Sequence, residues 1–103
     1  KELWLADGPN SAVHIFDATV MPPKQKQTIQ LKEFPGWISF SMDGRYAYIS
    51  TGDIYDAATK KLVATLKDEK GHLVQSEKLL DLDIANGRVA RAGNQFGTGQ
   101  KPR

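Results

Sequence analysis

The sequence has no cysteine. That excludes a disulfide framework, a thiolate zinc site, an iron–sulfur cluster and a covalently attached haem. No apolar run approaches the roughly 18 residues of a membrane-spanning helix, so no membrane span is expected. No signal peptide opens the chain, because Lys1-Glu-Leu-Trp-Leu-Ala-Asp7 enters a strand pattern at once. A translation product normally begins with Met, so the expectation is a processed chain or a piece of a longer one. Charge of one sign is lacking too: 14 Lys and Arg against 12 Asp and Glu leave +2 at pH 7. Lys24, Lys26, Lys60, Lys61 and Lys67 stand among Gln, Thr and Ala rather than beside stacking aromatics. This pattern argues against a nucleic-acid partner. No Gly-x-Ser-x-Gly occurs, and the glycines from Gly93 to Gly99 lack the lysine and following helix of a phosphate loop. Helical periodicity is absent: no ten-residue segment carries it.

What the chain does have is period two. Around Asp43-Gly44, Ile38, Phe40 and Met42 alternate with Ser39 and Ser41, and Tyr46, Tyr48 and Ser50 alternate with Ala47 and Ile49. Alternation on both sides of Asp-Gly predicts a tight hairpin. A second hairpin is predicted at Asn86-Gly87, between Leu79-Leu-Asp-Leu-Asp-Ile84 and Arg88-Val-Ala-Arg-Ala92. Short strands are also predicted over 3–6, 12–16, 27–31, 54–55 and 61–66. Between them lie turn-forming clusters such as Asp7-Gly8-Pro9-Asn10-Ser11, and a stiff loop at Met21-Pro22-Pro23-Lys24. The fold class is all-β. Residues 1–92 form one domain, and 93–103 read as a polar C-terminal tail or loop.

The order of events repeats. Gly8 and Gly52 stand 44 residues apart, each after a strand. Asp17 and Asp56, each behind an aromatic, stand 39 apart, and Gly44 and Gly87, each before an arginine, stand 43 apart. A period near 40 with four strands per unit is the signature of a propeller blade. Pro35-Gly36-Trp-Ile-Ser-Phe-Ser-Met-Asp-Gly-Arg-Tyr-Ala-Tyr-Ile-Ser50 resembles the repeat of the YVTN or lactonase-like β-propellers. In those, Pro-Gly opens the inner strand and Ser-Pro-Asp-Gly turns into an aromatic-rich strand. Ile54-Tyr55-Asp56, a turn and Leu62-Val-Ala-Thr-Leu66 are similar to the outer strands of that repeat. The chain departs from it at residues 67–78, which form a longer and more polar link, and where the third unit stops after its second strand.

The resemblance implies blades of four antiparallel strands, about two of them here, with residues 37–66 as a complete blade. Propellers close with typically 4–8 blades. Two alone would leave apolar sheet faces in water. At about 25 cal/mol per Å², several hundred Å² of bare face costs on the order of 10 kcal/mol, as much as a domain's whole stability. The expected partners are therefore the remaining blades, from a longer chain or from other copies, and a protein partner on one face. The resemblance also implies a periplasmic or extracellular location.

Binding in such rings falls on the loops at one rim. That points to Asp7 and Asn10, to Lys32, Glu33 and Trp37, to Asp53, and to His72, Gln75 and Glu77. Trp37 offers a ring to stack on a ligand or to pack between blades. His72 and Glu77 pair imidazole with carboxylate, which suits acid–base or metal chemistry but supplies only two ligands. His14, between Val13 and Ile15, faces away from both and is read as a hydrogen-bonded or surface histidine. Asp17, Asp43 and Asp56 are expected to accept turn amides. No catalytic residue and no cofactor is assigned. The leading reading is a non-enzymatic binding or scaffold module that engages a protein or a small ligand on one face of the ring. The alternatives are a lactonase-like hydrolase with its site at the channel mouth, and a structural subunit of a larger complex.

Overall fold

A computed structural model of the protein describes residues 1–97. Among these the regular structure is all strand: β1 (Glu2–Asp7), β2 (Ala12–Asp17), β3 (Lys24–Gln30), β4 (Ile38–Phe40), β5 (Tyr46–Ile49), β6 (Asp53–Asp56), β7 (Leu62–Thr65), β8 (Leu80–Ala85) and β9 (Arg88–Asn94). Every pairing is antiparallel. Three meanders follow one another along the chain: β1-β2-β3, β4-β5-β6-β7 and β8-β9. None closes on itself. No helix among the described residues is long and apolar enough to cross a membrane.

The first two sheets bury their facing sides in one core. Val13, Ile15 and Ile29 come from the first sheet, Ala47, Ile49 and Tyr55 from the middle one, and Leu31 from the link between them. Period-two alternation selects these residues, because Val13 and Ile15 share a face that His14 does not. Trp4 meets Phe40 edge to face across the same gap, with ring centroids 5.3 Å apart. The middle sheet turns its other face, Ser39 and Tyr48, toward the third. There the Met42 amide donates to Asp81 Oδ2 at 2.9 Å, and a side chain at Gly93 would meet Met42. The sheets are therefore stacked in chain order, the middle one between the other two.

Some boundaries differ from the sequence reading. β3 begins at Lys24, inside the predicted stiff loop, because Lys24 and Gln25 pair with Asp17 and Phe16 beyond a bulge. Residues 24–26 are exposed and polar, so no apolar alternation marks them as strand. The first hairpin is not a two-residue turn. Ser41 N–H donates to Tyr46 O, so Met42 to Arg45 all belong to the turn and only Gly44 has positive φ. β9 runs on through Gly93 and Asn94, which the sequence reading gave to the tail. The rest of that predicted tail, from residue 98, lies outside the described residues.

Candidate functional site

Four connections interlock at one end of the sheets. In the β1–β2 turn, a Cβ on Gly8 would lie 2.6 Å from the Phe34 ring of the β3–β4 link. Ser50 Oγ accepts from Gly36 N–H (2.8 Å) and Trp37 N–H (3.1 Å), tying that link to the β5–β6 turn. Ser50 O in turn accepts from Ser76 N–H, and Gly52 O from Leu66 N–H, which secures the β7–β8 link. The rim residues selected from the sequence sit on these four connections or, for Asp7 and Asp53, at the strand ends beside them, but the structure sorts them into separate clusters.

Asp7 and Asn10 do come together. The Asn10 side-chain amide donates to Asp7 Oδ2 at 2.9 Å and its backbone amide to Oδ1 at 3.3 Å. The same carboxylate lies 2.8 Å from His14 Nε2, while His14 Nδ1 lies 2.9 Å from Thr28 Oγ1. Gln25 Nε2 donates to that hydroxyl at 2.8 Å. One donor pattern satisfies the row: Gln25 to Thr28, Thr28 to His14 Nδ1, and His14 Nε2–H to Asp7. Hydrogen bonds from Asn10 and then His14 hold the Asp7 carboxyl below the usual carboxylate range. The order carboxylate, imidazole, hydroxyl matches a nucleophilic relay. However, Thr28 stands on the outer face of the first sheet, and neither Thr28 nor His14 lines the clefts that open at the two ends of the gap between the first and middle sheets. The row ties β1, β2 and β3 together.

Trp37 packs between sheets. Its indole Nε1 donates to Gln95 O at 3.0 Å, and its ring meets Phe96 edge to face at 5.6 Å. Glu77 reaches the same place and shares a cavity of about 70 Å³ with Trp37. Its Oε1 would lie 2.7 Å from a Cβ on Gly36, so that glycine makes room for the carboxylate. His72 is separate. Its partner is Asp68, with Nδ1 3.5 Å from Oδ2, and its side chain is 75% exposed. Among the described residues no three His, Asp or Glu side chains converge as metal ligands. The expected turn caps are present. Asp17 accepts from Thr19 N–H, Asp43 from Arg45 N–H, and Asp56 from the amides of Ala58 and Thr59.

The gap between the first and middle sheets opens as a cleft at each end. The rim-side cleft, about 320 Å³, gathers Lys32, Glu33 and Asp53 from the sequence reading. It adds Tyr55, Thr65 and Lys67, which that reading missed. The signal was the spacing Thr51, Asp53, Tyr55, where alternate residues share a face. Asp53 is held from both sides: Thr51 Oγ1 donates to Oδ2 at 2.7 Å and Thr65 Oγ1 to Oδ1 at 2.9 Å. Burial, and then the Asp53 charge, push the Tyr55 phenol up from its ordinary pKa.

The opposite cleft, about 750 Å³, is floored by Trp4 and Phe40. Glu2 sits there between Lys26 Nζ (2.8 Å) and Lys60 Nζ (2.9 Å) and accepts from Trp4 Nε1 at 3.2 Å. Burial pushes the Glu2 carboxyl up. The hydrogen bonds from Lys26, Lys60 and Trp4 outweigh burial and hold it at about 2. Lys60 arrives from the β6–β7 turn, so this ion pair joins the middle sheet to the first. No family model matches the chain, and no curated protein and no solved structure matches it either.

Proposed function

We propose that the chain is a segment of a β-propeller that acts as a non-enzymatic binding or scaffold module, with its ligand or partner on the interlocked rim. The observation that carries this reading is the stack itself. Three meanders follow in chain order, the middle one has four strands, and both outer faces of the stack carry exposed apolar side chains. On the first sheet the open face presents Leu3 and Leu5. On the third it presents Leu80, Leu82, Ile84 and Val89. Further blades, from a longer chain or from other copies, cover these faces. Asp7, Asn10 and His14 spend their polar atoms on one another and so brace the rim.

Placing charge on both faces tests this. The double variant Leu5→Lys with Leu82→Lys is expected to lose self-association in light scattering while keeping its near-ultraviolet circular dichroism. Both side chains lie outside the Val13–Ile49 core, so the core survives. Unchanged association would mean these faces meet only water, where such substitutions stay within about 0.5 kcal/mol.

A further inference from the structure

We propose that the rim-side cleft of about 320 Å³ binds a small apolar zwitterion of the hydrophobic amino-acid class, its carboxylate toward Lys32 and Lys67 and its ammonium group toward Glu33. The volume is at the lower end of the range for small-molecule sites. Between the charged residues the wall is apolar, made by Leu31, Leu62 and Leu73. Lys32, Lys67 and Glu33 form no ion pair among the described residues. Both signs are therefore on offer around one apolar wall. A simple anion would face Glu33 and Asp53, and a simple cation would face the two lysines. A molecule carrying both charges meets each with its opposite.

Tyr55 is a second, independent observation. It is 8% exposed and lines the cleft. Its hydroxyl has no hydrogen-bond partner among the described residues, yet no sealed side-chain polar atom lacks one. The hydroxyl oxygen is therefore reached by solvent, in a residue that lines the cleft. Unpaired within the described residues, the hydroxyl is free to donate to a bound carboxylate. Asp53 is already held by Thr51 and Thr65, and it fixes the wall beside Tyr55.

This inference rests on the binding half of the proposed function and not on ring closure, since the cleft lies wholly between sheets of this chain. The test is calorimetric titration of the protein with L-leucine, beside 4-methylpentanoate, which lacks the ammonium group, and 3-methylbutylamine, which lacks the carboxylate. Saturable binding of L-leucine at one per chain is expected, with each analogue at least tenfold weaker. Lys32→Gln with Lys67→Gln is expected to weaken L-leucine about tenfold, as loss of charge-assisted hydrogen bonds does. Tyr55→Phe, which keeps the buried ring, is expected to weaken it severalfold. No heat with L-leucine, or equal binding of 4-methylpentanoate, overturns the proposal. So does undiminished binding by either variant. Light scattering on the same samples reads association separately, so failed binding with intact assembly counts against the cleft alone.

Discussion

Gly44 and Gly52 both hold positive φ, at 74° and 93°, yet their substitution should differ. At Gly44 nothing lies within 4 Å of an added Cβ, so only backbone strain opposes a side chain. Gly44→Val is expected to lower stability by about 1–2 kcal/mol, the left-handed cost for a residue with a Cβ. At Gly52 the added Cβ would also run into the carbonyl of Val74, a backbone atom that cannot swing aside. Gly52→Ala should therefore cost more than Gly44→Ala. Urea midpoints at unchanged slope read the difference, and equal midpoints would show that the β7–β8 link is not seated on Gly52. Glu2 makes a pH prediction. Its folded pKa of about 2 lies below the ordinary 4.5, so its contribution is complete above pH 4.5 and fades as pH falls toward 2. Lys60→Met should flatten the melting temperature across that window. An unaltered acid slope would mean Lys60 does not hold the carboxylate.

At the scale of elements, the polar row across β1, β2 and β3 makes the next prediction. His14→Ala removes the link between Asp7 and Thr28 and is expected to cost about 1 kcal/mol, since the row is only half-buried and water replaces part of the loss. Thr28→Val should cost a similar amount, and the double variant less than the sum, because both changes break one chain of bonds. Additive losses in urea unfolding would show the row is not one network. Elements with strong local chemistry were legible in the sequence. Asn86 and Gly87 both take positive φ, 55° and 72°, in the two-residue turn that Asn-Gly favours. Ala47 and Ile49 face the core, as their alternation with the tyrosines required. Exposed or long-range features were not legible. Lys24 to Lys26 carry no apolar alternation, and the four-residue turn at Met42 to Arg45 depends on Ser41, Asp43 and Gly44 acting together. In the candidate site, Asp53 and Tyr55 shared a readable face, but Lys67 reaches the cleft from the end of β7 through tertiary packing. His72 pairs with Asp68 four residues back, nearer in the chain than Glu77 five residues on, because the Asp68 carboxylate already caps the His72 amide at 2.8 Å.

The whole molecule is flatter and barer than its length requires. It measures 43 × 42 × 21 Å, with a radius of gyration of 14.8 Å. A closed domain of about 100 residues has a radius near 13 Å. Its accessible surface of 7504 Å² exceeds the roughly 5,800 Å² of a closed monomer of this mass. Leu3 and Leu5 on one outer face of the stack and Leu80, Leu82, Ile84 and Val89 on the other are exposed, while the gaps between sheets hold Val13, Ile15, Ile49 and the Trp4–Phe40 and Trp37–Phe96 pairs. On the proposed reading, further sheets cover these exposed apolar side chains at both ends of the stack. The native mass in solution, by light scattering over the full soluble concentration range, tests that claim most directly. A mass above the 11.4 kDa of one chain is predicted, as a discrete ring or as growing association. A monomer of 11.4 kDa at every concentration would contradict association through these faces and leave a longer chain as the only source of covering sheets.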